Sequence, residues 1–229
     1  MDIRTDTDSL PTADGLMPAY VCRPATGGPY PAVIVVMEAF GLNAHIKAVA
    51  ERVAREGYVT IAPDFFYRFG SPIVPYEDVS RAIGYIQRFD DAALMAEMGV
   101  VIQHLKSLAE VRGDRIGITG FCVGGRIAFL TACRHPAAVK VAIAFYGGGI
   151  AADTPTAPLH DASRIQCPVL CLFGEADRMT EQTSAESGAL VCLGHRDVHQ
   201  LEGRLVQLLQ RVHTDDIVVA LRDPRQRVG

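Results

Sequence analysis

The chain has 229 residues, 49% hydrophobic and 21% charged, with a formal net charge of −4. At roughly 100–200 residues per domain, that length predicts one domain spanning 1–229, and the composition excludes a disordered chain or a coiled coil. A mildly acidic chain has no basic footprint for nucleic acid or for an anionic membrane. No apolar run reaches the roughly 18 residues of a spanning helix. The first residues, MDIRTDTDSL, lack the apolar centre of a signal peptide. Six cysteines stand singly, with no C-x-x-C pair. They read as reduced thiols of a cytoplasmic protein and argue against a thiol redox carrier.

Taken in chain order, the segments alternate between two periods. Residues 32–37 (AVIVVM) form a short apolar, β-branched run, as expected of a strand buried on both faces. Asn43 is placed to cap a helix in which Ile46, Val49, Ala50, Val53 and Ala54 share one face, with Gly57 closing it. Residues 58–62 read as a second buried strand, followed by a Pro- and aromatic-rich loop over 65–75 that suits a lid or pocket wall. Leu94, Met98, Val101, Leu105 and Leu108 mark a helix over 91–109. Residues 115–119, 139–145 and 167–173 read as strands, and 124–134 as a helix. Strands separated by helices of this length predict right-handed βαβ units, hence an α/β fold with a mostly parallel sheet and helices on both faces. No stretch has zinc-ligand spacing and no glycine loop has the phosphate-binding form, so neither metal nor cofactor is expected.

The sharpest signal is RIGIT followed by Gly120-Phe121-Cys122-Val123-Gly124-Gly125 and then a helix. This G-x-C-x-G has the form of a nucleophile elbow with cysteine as the nucleophile. Small residues two before and two after let the strained turn pass between its neighbours. The Val123 N–H then points to where an oxyanion forms, and the helix N-terminus favours a thiolate. Such an elbow calls for an acid and a histidine later in the chain. Asp177 follows the strand at 167–173, at the sheet edge where ligand and catalytic groups collect. Glu38 stands directly after an apolar strand, where a carboxylate is costly unless solvated or paired. Tyr146 reads as packing against the top of the sheet, and Asp64 as a turn aspartate.

Four stretches together resemble the dienelactone hydrolase family of α/β-hydrolases: Met37-Glu38-Ala39-Phe40-Gly41-Leu42-Asn43, Ala62-Pro63-Asp64, the cysteine elbow, and Phe145-Tyr146-Gly147-Gly148-Gly149 followed by Phe173-Gly174-Glu175-Ala176-Asp177. They cover about residues 14–177. The resemblance implies a cofactor-free Cys-Asp-His hydrolase of small-molecule lactones or activated esters. Cys122 matches the nucleophile and Asp177 the acid. Glu38 matches a glutamate beside the nucleophile, and Ala39 N–H the second oxyanion donor. Arg68, in the lid-like loop, matches an arginine for the substrate carboxylate, and Tyr146 falls in the substrate pocket.

The tail departs from that pattern. None of the nine Phe and seven Tyr lies beyond Phe173. No His-Gly-aromatic motif follows Asp177, and the histidines there are His195, His199 and His213. His195 follows the apolar run 189–193 and is one candidate base. Alternatively, 198–212 is the last crossover helix and 216–221 the last strand, and the chain runs into Arg222-Asp223-Pro224 where the histidine belongs. The expectation is a family-like body over 1–177 and a divergent or truncated tail over 178–229. The function expected is a cysteine hydrolase, with a catalytically impaired relative acting as a small-molecule binder as the alternative.

Overall fold

The computed structural model describes residues 1–172 and the backbone of 191–193. Asp177, His195, His199, His213 and the expected tail helix and strand lie outside the described residues. A hairpin opens the fold, with β1 (Ile3–Thr12) antiparallel to β2 (Gly15–Pro24). There follow β3 (Tyr30–Val36), α1 (Ala44–Arg55), β4 (Val59–Pro63), α2 (Val79–Ile86) and α3 (Asp91–Ser107). Then come β5 (Val111–Phe121), α4 (Val123–Arg134), β6 (Val139–Phe145), β7 (Val169–Leu172) and β8 (Val191–Leu193). Among the described residues the sheet runs β1-β2-β4-β3-β5-β6-β7-β8. Its five middle strands are parallel, while β2 joins β4 and β8 joins β7 antiparallel.

The parallel strands are mainly apolar where both faces are covered; all five residues of β4 are buried. Side-chain alternation shows the two layers at one point of β5. A Cβ on Gly120 would collide with Gly124 of α4. The next side chain, Phe121, meets the His45 ring of α1 edge-on at 6.5 Å. So α4 and α1 cover opposite faces. Asn43 caps α1 by accepting from the Ile46 N–H at 3.1 Å, and Gly57 leaves that helix with φ 94°.

The chain-order reading fits the middle of the molecule, with differences at the edges. Strand β5 starts four residues earlier than the apolar run, and α3 ends before Leu108, whose backbone is extended. The loop over 65–75 contains a short 3-10 turn, Tyr67–Phe69. The β1–β2 hairpin and α2 were not anticipated. The apolar run 189–193 contains β8, a three-residue edge strand. No helix among the described residues is long and apolar enough to cross a membrane.

Candidate active site

Strand β5 leads straight into α4, and Cys122 is the residue between them. Its backbone has φ 55° and ψ −122°, a conformation L-residues rarely adopt. Hydrogen bonds hold it there: Cys122 N–H donates to the Phe145 carbonyl at 3.0 Å, and the Gly125 N–H donates to the Cys122 carbonyl at 2.9 Å. The flanking glycines are required by close approach. A Cβ on Gly124 would lie 2.5 Å from the Met37 carbonyl oxygen and 2.6 Å from that of Val36. One on Gly125 would lie 2.5 Å from the Phe145 oxygen. The start of α4 is thus pressed against the ends of β3 and β6, and the cysteine is turned out at the carboxyl edge of the sheet.

Register brings three polar groups together there. Val36, Gly120 and Ala144 lie in one row across β3, β5 and β6. Two residues beyond that row are Glu38, Cys122 and Tyr146. Glu38 is buried, and both its oxygens accept from phenols: Oε1 from the Tyr146 hydroxyl at 3.0 Å and Oε2 from the Tyr76 hydroxyl at 3.3 Å. Asn43 Nδ2 donates to the Tyr76 oxygen at 3.1 Å, tying the α1 cap to this cluster. Burial pushes the Tyr146 phenol far above its ordinary range, and the negative charges of Glu38 and the Cys122 thiolate add to that. Tyr146 is therefore a proton-holding donor to Glu38, beyond the packing role read from sequence. Its own backbone is strained, with φ 39°, and its N–H donates to the Leu172 carbonyl at 2.7 Å.

The expected oxyanion donors sit at the same edge. Val123 is the first residue of α4, and Ala39 follows Glu38 in the turn after β3. Among the described residues neither N–H donates to a backbone carbonyl outside the regular elements. On the α3–α4 side of Cys122 lies a cleft of about 550 Å³, lined by Phe89, Asp91, Leu94, Val123, Arg126 and Gly149 among others. Arg126 was not singled out from sequence. It lies four residues after Cys122, lines the same cleft, and forms a bidentate pair with Asp91 at 2.6 and 2.8 Å. The spacing from Cys122 was the available signal.

Arg68 is placed elsewhere. Its guanidinium pairs with Asp14 of the β1–β2 turn and Glu97 of α3, and it lies over the Tyr67 ring, away from the residues lining the Cys122 cleft. Buried Glu97 draws it there, because an unpaired carboxylate at that depth is costly. Asp64 accepts from the Phe66 N–H at 2.9 Å and turns the chain after β4. The described histidines have these contacts: His104 with Asp8, His135 with the Met95 carbonyl, His160 with the Thr154 carbonyl, and His45 against Phe121. Among the described residues no group of three or more His, Cys, Asp or Glu side chains is arranged to hold a metal ion.

The family model described as "Dienelactone hydrolase family" matches residues 17–192. The chain belongs to the dienelactone hydrolase family. A relative from Methylorubrum extorquens, provisionally named a carboxymethylenebutenolidase, is 38% identical over 174 residues. That match covers 74% of this chain and 59% of the relative, so the chain spans somewhat under two thirds of that protein's length. A second relative of the same name, from Escherichia coli K12, is 37% identical over 187 residues, covering 78% of this chain and 67% of its own. A crystal structure from Klebsiella pneumoniae, provisionally described as a dienelactone hydrolase, superposes with a TM-score of 0.70 at 34% identity. It covers 78% of this chain and 75% of that one. Family membership accounts for the α/β-hydrolase fold and for the elbow's position between a central strand and its helix.

Proposed function

We propose that this chain is a cysteine hydrolase of lactones or activated esters; a lactone is the substrate that its relatives' names carry. The observation that supports this most is the backbone of Cys122, a positive-φ residue between a central strand and a helix N-terminus. In the proposed reaction the Cys122 thiolate adds to the carbonyl carbon. The charge moves to the carbonyl oxygen, which the Val123 and Ala39 N–H groups receive. Collapse of that intermediate expels the alkoxide or enolate and leaves a thioester, and water then releases the acid and regenerates the thiol. Glu38, clamped by two phenols, holds negative charge beside the nucleophile and sets when it ionises. Asp177 orients the histidine that moves protons.

A second reading is favoured by one observation, the lack of a His-Gly-aromatic motif after Asp177. In that reading the chain keeps the nucleophile, the oxyanion donors and the pocket but has no base in place. Acyl transfer to Cys122 then outruns thioester breakdown.

Hydrolysis of p-nitrophenyl acetate separates the two. The first reading expects a sustained steady-state rate; the second expects a burst of about one p-nitrophenolate per chain followed by a slow phase, because attack and oxyanion stabilisation survive without a base. In a Ser-His-Asp enzyme stripped of its triad these are still worth roughly 10³–10⁴ over water. Cys122→Ala should remove the burst; a burst that persists defeats the nucleophile assignment. A fast steady state abolished by His195→Ala would make His195 the base and end the second reading.

A further inference from the structure

We infer that Arg126 holds a carboxylate on the molecule that Cys122 attacks, receiving it on the Nε edge of its guanidinium. This deepens the hydrolase reading and rests on it for the reaction, while the anion site itself stands on the geometry of the cleft. Arg126 is the one cation among the described residues that line the Cys122 cleft. Arg68, the arginine expected in this role from the sequence, is held by Asp14 and Glu97.

Side chains of a helix lean toward its N-terminus. Arg126, in the first turn of α4, is thus directed back toward the end where Cys122 sits. A guanidinium meets a carboxylate along either of two edges: the end edge, Nη1 with Nη2, or the side edge, Nε with one Nη. Asp91 fills the end edge, where Nη1 donates to Oδ1 at 2.6 Å and Nη2 to Oδ2 at 2.8 Å. The side edge borders Gly149, at which a Cβ would stand 3.9 Å from Nε. Gly149 has φ 75°, a conformation that disfavours a larger residue, so no side chain at that position covers the edge. Gly149 and Arg126 both line the cleft, and 21% of the Arg126 side chain is exposed. Asp91 does more than offset charge. It fixes a long side chain whose rotamer freedom would otherwise be lost on binding, so the remaining edge is presented ready-formed. Asp91 is itself the first residue of α3, whose N-terminus stabilises its carboxylate. The N-cap residues of α3 and α4, Asp90 and Cys122, both line the cleft, and the positive ends of the two helices favour an anion there. The apolar part of the same molecule meets Phe89, Leu94 and Val123.

The test uses a pair of maleimides that alkylate Cys122 without turnover. The thiolate sulfur adds to an alkene carbon, and a proton from water completes the adduct. 3-Maleimidopropionic acid carries a carboxylate where N-propylmaleimide carries a methyl. The rate of each at Cys122 is measured by peptide-resolved mass spectrometry and divided by the same reagent's rate with 2-mercaptoethanol. The normalised ratio should favour the acid by about tenfold or more at low salt, the strength of a hydrogen bond between charged groups, and should shrink in high salt. Arg126→Gln should bring the ratio to one or below. Arg126→Lys keeps the charge without the planar edge and should recover only part of the preference. Arg68→Gln should leave the ratio unchanged. A wild-type ratio near one, a preference that survives Arg126→Gln, full retention in Arg126→Lys or loss in Arg68→Gln each overturns the inference. Hydrolysis of p-nitrophenyl acetate by the same preparations tests the hydrolase reading separately. Failure to release p-nitrophenolate alongside the expected maleimide ratios would defeat that reading and leave the anion site supported. Release with a flat maleimide ratio would do the reverse.

Discussion

Among the described residues, Glu38 is a buried carboxylate whose polar partners are two phenols rather than a cation. The two are not equivalent. Tyr146 donates at 3.0 Å from a half-buried position, while Tyr76 donates at 3.3 Å and is 51% exposed, so water can replace it. Tyr146→Phe should therefore cost about 1.5–3 kcal/mol, the range for a hydrogen bond to a charged group, and Tyr76→Phe well under 1 kcal/mol. Urea midpoints at constant slope measure both, and a larger loss in Tyr76→Phe would contradict the assignment. The thiols divide in the same way. Burial pushes the Cys133 thiol up to about 12 and Cys167 to about 11, which leaves almost no thiolate near neutral pH. Cys122 has the helix N-terminus and is only half buried. A timed alkylation should label Cys122 well before Cys133; equal labelling would mean the turn does nothing for the sulfur. At this scale the sequence was readable where backbone geometry forces residue type, as in the Gly120, Gly124 and Gly125 pattern. It was not readable where a side chain is chosen by a distant partner. Nothing local announces that Arg68 answers to Glu97, or Arg126 to Asp91.

The elements most visible in the sequence are those whose burial is one-sided or complete. Strands β3 and β4 are continuous apolar runs, and α1 carries its stripe between Asn43 and Gly57. The β1–β2 hairpin escaped because β1 is an edge strand, largely exposed, with no alternation to detect. Helix α2 has eight residues and one fully buried side chain, too little for a periodicity argument. Helix α3 hides a different feature. Its stripe of Leu94, Met98, Val101 and Leu105 is plain, yet Glu97 on the same helix is 2% exposed. Burial raises the Glu97 carboxyl above its ordinary value, against the opposing pull of Tyr67 and Arg68. The folded state thus binds that proton more tightly than the unfolded chain does. The stabilisation this gives is fully present below the unfolded value near 4.5 and is lost as pH rises through the folded one. Glu97→Gln removes this titration. The stability of wild type relative to Glu97→Gln should fall as pH rises from about 4.5 toward neutrality, measured by denaturation at a series of pH values. A relative rise would reverse the sign and refute the burial argument.

Across the whole molecule, the antiparallel edge is fastened by one guanidinium. Arg23 of β2 is 7% exposed and donates to Asp6 at 3.0 Å, Asp8 at 2.8 Å and Glu110 at 3.0 Å. Asp8 is also bonded to His104 of α3 at 2.8 Å. Two parts of the chain far apart in sequence, the β1–β2 hairpin and residues 104–110, meet at this point. Arg23→Met should cost about 3 kcal/mol, because it strands a cluster of carboxylates; their partial exposure keeps the cost toward the low end for a broken buried pair. Arg23→Lys should recover only part of it, since a single ammonium nitrogen cannot stand where the three guanidinium nitrogens each meet a different carboxylate. Full recovery by lysine would show that charge alone matters there. The opposite end of the sheet carries a different kind of dependence. Glu38, Cys122 and Tyr146 stand two residues past a single row, Val36–Gly120–Ala144. Each belongs to its own turn, so any of the three can be exchanged without redesign of the strands beneath. A one-residue insertion within β3, β5 or β6 is another matter, because it slips the register and turns that strand's side chains to the other face. Lineages descended from such a fold are thus free to explore new chemistry by substitution at the strand ends, while length changes inside the strands are closed to them.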